Sequence, residues 1–99
     1  MRAVWNGAVL ADSESTITVE GNQYFPPESL NREHFAPSSR TSVCHWKGRA
    51  TYFDLAVDGR TLPDAAWTYA DPSRAAEGIK DYVAFYGQVE ITDQDGGRS

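Results

Sequence analysis

The sequence predicts a mainly β domain of antiparallel hairpins with one helix. Asn6-Gly7 and Asp58-Gly59 each stand between apolar runs, and such dipeptides favour two-residue type I′ turns, which need positive φ at both central positions. Apolar residues alternate with polar ones over 16–20 and 51–57, the period-two pattern of strands. Only the stretch after Asp71-Pro72 changes to a helical spacing. The 99 residues suit one domain and exclude α/β barrels and dinucleotide-binding folds.

In chain order, Ala3-Val4-Trp5 and Ala8-Val9-Leu10 form the first hairpin about Asn6-Gly7. Ile17 and Val19 share one face of the next strand, and Gly21-Asn22 returns the chain through a II′ turn into Gln23-Tyr24-Phe25. Pro26-Pro27 ends that strand, because two backbone donors are missing. Residues 28–35 are polar and allow one short helical turn before a loop at Pro37-Ser38-Ser39. In the central strand, Phe53, Leu55 and Val57 lie on one face, with Tyr52, Asp54 and Ala56 on the other. Residues 60–69 return from the Asp58-Gly59 turn. Asp71 is a competent N-cap and Pro72 suits the first helical position, so the helix is expected to run to about Lys80. Residues 82–86 fit strand or helix, Gly87 stops either, and Val89 with Ile91 marks a last strand. Residues 1–92 thus make one domain, and 93–99, which hold no apolar side chain, a loose tail.

Charge narrows the functional classes. The net charge is −5. The first 49 residues balance Asp12, Glu14, Glu20, Glu28 and Glu33 against Arg2, Arg32, Arg40, Lys47 and Arg49, so the second half carries the whole excess. That balance repels a phosphate backbone and argues against nucleic acid. No run approaches the ~20 apolar residues of a membrane helix, and no export leader precedes Val4. A single cysteine makes no internal disulfide, which points to a reducing, cytoplasmic setting. Zinc is not expected, since Cys44, His45 and His34 offer three ligands at most and no Cys-x-x-Cys exists.

The run Ser42-Val43-Cys44-His45-Trp46-Lys47-Gly48-Arg49-Ala50-Thr51-Tyr52 resembles the signature of DUF427 domains. Trp5-Asn6-Gly7, Leu10-Ala11-Asp12-Ser13, Tyr24-Phe25-Pro26, Ala65-Ala66-Trp67-Thr68-Tyr69 with Pro72, and residues 82–86 extend the resemblance over about 2–92. His45 and Asp81 depart from it, standing where proline or an acid, and glycine, are usual. The family has no known function. The resemblance implies a β-tent, two antiparallel sheets meeting at an angle as in Mss4-like proteins and methionine sulfoxide reductase B. Here it comes without structural zinc, aromatic rings filling the core where relatives use metal. A nucleotidyltransferase-like label attached to the family fits poorly, because that chemistry needs rigidly held paired carboxylates. The only Asp-x-Asp, Asp93 and Asp95, falls in the tail.

The functional expectation is a small-molecule site walled by aromatic residues. Lys47, Trp46, Tyr52, Trp67, Tyr69 and Tyr24 are its candidate ligand-binding residues, because Tyr and Trp pair an apolar body with a polar handle and Lys47 supplies a cation. Lys47 could bind a carboxylate or phosphate as a point charge or form a Schiff base if desolvated, and its plain reading is a structural one, capping a carbonyl or pairing with an acid. The alternative is a small cofactor-free enzyme using the same pocket, with Cys44, Asp54 or His45 as catalytic candidates. Against these stand plain readings: Cys44 a buried apolar residue, Asp54 a solvated strand carboxylate, His45 a surface side chain. Cys44 and Lys47 come together only if the chain bends near Gly48. A third possibility is an interaction module with exposed aromatics. No cofactor or metal is expected; the chain is monomeric or a homodimer.

Overall fold

A computed structural model describes residues 1–93. Among the described residues there are nine strands: β1 (Arg2–Trp5), β2 (Ala8–Asp12), β3 (Ile17–Val19), β4 (Asn22–Tyr24), β5 (Phe35–Cys44), β6 (Gly48–Val57), β7 (Arg60–Thr68), β8 (Val83–Phe85) and β9 (Glu90–Thr92). They form three sheets, all antiparallel: β2-β1-β9, the hairpin β3-β4, and β5-β6-β7-β8. The expectation of a mainly β domain holds.

Two hairpins form where the turn dipeptides place them. Asn6 and Gly7 have φ of +51° and +81°, and Asp58 and Gly59 have +50° and +78°. The third turn differs from expectation. Glu20 and Gly21, not Gly21 and Asn22, are the central residues, with φ of +53° and +81°. Both are left-handed, so the turn is of the I′ rather than the II′ kind, and it lifts the Glu20 side chain to the hairpin tip.

Three further expectations are corrected. No α-helix occurs among the described residues; the stretch after Asp71-Pro72 is a 3-10 segment over Arg74–Ile79, interrupted at Ala76. Its N-cap is Ser73, whose N–H donates to the Lys47 carbonyl at 2.9 Å and whose hydroxyl donates to the Trp46 carbonyl. Tertiary bonds to another turn, rather than helical propensity, therefore anchor this segment. The Pro37-Ser38-Ser39 loop is instead part of β5, whose register against β6 shifts between Pro37 and Thr41. The polar stretch before it holds two 3-10 turns, Pro27–Ser29 and Arg32–His34. Of the expected tail, only Asp93 is among the described residues.

Strands β6, β7 and β8 of the four-stranded sheet pack against a core on each face. Cross-strand partners Phe53, Ala66 and Phe85 lie in one row, and Tyr52, Trp67 and Ala84 in the next. Because neighbouring residues of a strand point to opposite faces, the two rows enter different cores. The first row joins Leu55, Val57, Val83, Phe25, Leu10 and Ala3 beneath the β2-β1-β9 sheet. The second joins Tyr24, Ala50, Tyr69, Ala76 and Ile79, with Ile17 and Val19 of the hairpin and Trp46 packed against it. Chain crossing between the cores occurs at Tyr24-Phe25, where Phe25 exchanges backbone hydrogen bonds with Val83 at 2.8 and 2.9 Å. The aromatic candidates Tyr24, Trp46, Tyr52, Trp67 and Tyr69 gather in the second core.

Candidate functional site

Residues 45–47 form the tight connection between β5 and β6. Cys44 pairs with Gly48 across it. Gly48 takes φ of +108°, and a Cβ there would lie 3.5 Å from the backbone of Asp71, Pro72 and Ser73. The bend that Cys44 and Lys47 require is therefore present. It turns the Lys47 side chain inward, leaving the residue 5% exposed, while His45 stays exposed.

The enclosed ammonium has a defined set of neighbours. Lys47 Nζ donates to Glu20 Oε1 in an ion pair, and Trp46 Nε1 donates to Glu20 Oε2 at 3.2 Å. The ammonium lies 5.3 Å from the Trp46 ring centroid and 5.4 Å from that of Tyr69, within the range of cation–π attraction. Burial works to lower the Lys47 pKa, but the bond to Glu20 and the phenol oxygens of Tyr24 and Tyr69 outweigh it and hold the amine above its ordinary value. Glu20 is held below the usual carboxylate range, first by its bond to Lys47 and then by that to Trp46. Burial raises the Tyr69 phenol, with Lys47 opposing and Tyr24 and Cys44 assisting. A lysine that its ion pair keeps protonated through neutral pH acts as a charge partner rather than a nucleophile, so the geometry gives no support to Schiff-base chemistry.

Behind this pair the rings form a ladder. Tyr24 is fully buried; its hydroxyl accepts from Trp67 Nε1 at 3.2 Å, and the two rings meet edge to face at 6.4 Å. Trp67 adjoins Tyr52 at 6.5 Å and Tyr86 at 4.8 Å. The Tyr52 hydroxyl hydrogen-bonds with Ser42 at 2.8 Å, and the Arg40 guanidinium sits 4.9 Å over its ring. Lys47, Trp46, Tyr69 and Tyr24 thus surround one point, whereas Tyr52 and Trp67 continue the ladder away from it.

Trp46 also borders open space. A hollow of about 160 Å³ is lined by Ile17, Val19, Trp46, Ala75, Ala76, Gly78 and Ile79. Its walls come from the β3-β4 hairpin, the β5-β6 turn and the 3-10 segment.

The catalytic candidates do not share one place. Cys44 is half-buried in the second core. His45 is exposed, and close enough to help lower the Glu20 pKa. Asp54 lies six residues along β6 from Gly48, roughly 20 Å in extended chain. Its Oδ1 accepts from the Asp64 N–H at 2.9 Å, where β7 bulges and Asp64 takes φ of +53°. That carboxylate steadies a kinked strand. His34 approaches the Ala56 carbonyl at 3.2 Å, away from the site. Among the described residues, no three His, Cys, Asp or Glu side chains gather as metal ligands, and no helix is long and apolar enough to cross a membrane. Two members of the site were not found from sequence. Glu20 stands 27 positions from Lys47, and the hollow's aliphatic walls look like ordinary core residues.

The fold and site define a small β protein in which an enclosed lysine, set among aromatic rings, pairs with an exposed glutamate. The family model for a domain of unknown function, DUF427, matches residues 1–95. The chain belongs to that family. No curated protein matches it.

Proposed function

We propose that this domain binds a small molecule at the Trp46 face, with the ligand's apolar part in the hollow and its polar end toward the Lys47–Glu20 pair. Tyr69 and Tyr24 back the ammonium, and Trp67 and Tyr52 hold those rings in place. The observation that carries this reading is the position of Trp46. One indole walls the apolar hollow, donates to Glu20 and lies beside the Lys47 ammonium. An apolar concavity with a few convergent polar groups is the usual form of a small-molecule site. Acid–base catalysis by Asp54 has less support, because its carboxylate is engaged at the β7 bulge. In line with the family resemblance, we take the sheets to be a metal-free β-tent, and the single cysteine to fit a cytoplasmic setting.

The test is a ligand-dependent melting screen of neutral and acidic aromatic or branched aliphatic compounds against the wild type and Ala75→Phe. Ala75 is exposed but lines the hollow, so phenylalanine there fills the cavity with little effect on folding. Compounds that raise the wild-type Tm are expected to lose their effect on the variant. Equal shifts in both proteins would move the site elsewhere, and no shift with any compound would remove the binding reading.

A further inference from the structure

The Lys47–Glu20 pair is asymmetric. The lysine side chain is 7% exposed and the glutamate side chain 53%. The donors belong to the packed core, whereas the acceptor arrives from the tip of a three-residue-strand hairpin, on a residue whose φ of +53° is unfavourable for a side chain. An enclosed ammonium needs an anion beside it, but nothing in the packing requires that anion to come from Glu20. The two donors also converge as a receptor would: Lys47 Nζ on one carboxylate oxygen, Trp46 Nε1 on the other. The indole that makes the second bond then continues as the wall of the apolar hollow. At about 160 Å³ that hollow resembles in size the cavity of roughly 150 Å³ that accepts benzene in an engineered protein.

We propose that Glu20 is a resident stand-in for the ligand's own carboxylate. The domain binds apolar carboxylic acids, the carboxylate displacing Glu20 from Lys47 and Trp46 and the hydrocarbon part entering between Ile17, Val19 and Ile79. This rests on the small-molecule reading and adds the ligand's chemical class. Glu20 then sets the affinity: while it holds the donors the site is closed, and apparent affinity falls by the fraction of time the site is open.

Removing the stand-in tests this. Phenylacetate, acetate and benzyl alcohol are titrated into wild type, Glu20→Ala and Ala75→Phe, read by the Trp46 indole N–H resonance and by Tm. Phenylacetate is expected to bind Glu20→Ala roughly tenfold more tightly than wild type and to restore Tm lost by the variant. Acetate is expected to bind Glu20→Ala more weakly than phenylacetate does, and benzyl alcohol to gain nothing from the substitution. Combining Ala75→Phe with Glu20→Ala should abolish the advantage of phenylacetate over acetate. Should the alanine variant fail to fold, Glu20→Gln keeps the side chain's bulk, removes its charge and must give the same order of ligands. Equal phenylacetate binding by wild type and variant overturns the stand-in role. If benzyl alcohol binds the wild type through the hollow yet no carboxylate gains from losing Glu20, this proposal falls and the small-molecule reading stands. If no compound shifts any resonance in any variant, both fall.

Discussion

An ammonium held away from water stays charged only because its neighbours supply what the solvent would have given. Glu20 does so for Lys47, and the pKa directions fix the pH range in which the pair contributes. The Glu20 carboxyl is lowered from 4.5, so its contribution is present above that value and lost as pH falls through the lower folded value. The Lys47 amine is raised from 10.5, so its contribution is present below that value and lost only as pH rises beyond the folded one. The pair is therefore constant through neutrality. The difference in Tm between wild type and Glu20→Gln is expected to be flat from about pH 6 to 9 and to shrink below about pH 4; a difference that does not change in acid means that the pair contributes nothing. Gly48 supplies the second residue-scale prediction. Its φ of +108° leaves space for a methyl group but not the backbone freedom for one, so Gly48→Ala is expected to cost about 1–3 kcal/mol in urea unfolding. At this scale the sequence was partly legible. Lys47, Trp46 and Tyr69 announced themselves by residue type, whereas Glu20 did not, because no local pattern encodes a pairing made between two turns.

At the scale of elements, turn chemistry was the most reliable signal. Asn-Gly and Asp-Gly leave few alternatives to a type I′ hairpin. The turn at Glu20-Gly21 is less legible, because the adjoining Gly21-Asn22 satisfies a competing II′ turn equally well. The helix expected after Asp71-Pro72 failed for a physical reason. A segment of this length repays little of the cost of nucleation, Gly78 adds roughly 1 kcal/mol against helix, and Ser73 is already bonded to the 45–47 turn. The β7 bulge was invisible in the sequence, since Asp54 and Asp64 look like solvated strand residues until the register shift brings them together. Their contact yields a decision between structure and catalysis. Asp54→Asn keeps an oxygen for the Asp64 N–H and is expected to match wild-type stability, whereas Asp54→Ala should lose about 1–2 kcal/mol. Equal stability of both variants would free Asp54 for another role.

Across the whole molecule, β6 belongs to both cores: Ala50 and Tyr52 to one, Leu55 and Val57 to the other. The alternation along residues 51–57 revealed two apolar faces, but not that each is buried against a different neighbour, which depends on contacts distant in sequence. Sharing a strand couples the cores. Leu55 is fully buried, and Leu55→Ala is expected to cost about 2–5 kcal/mol. In a Trp5→Phe background the remaining indoles, Trp46 and Trp67, report on the second core alone. Their fluorescence midpoint in urea should fall together with the far-ultraviolet circular dichroism midpoint, as a single cooperative transition requires. Separated midpoints would mean that the cores unfold independently.

The first sheet also fixes where the chain can be joined to others. Arg2 of β1 faces Thr92 of β9 across a strand pair, so the first and last described strands lie side by side. A short linker between these neighbours would close the chain into a ring, and fresh ends could be opened at the exposed Asp58-Gly59 tip without cutting a strand. By the same geometry the fold is suited to sit as a cassette within a surface loop of a host protein, adding a module without parting the host's own neighbouring strands.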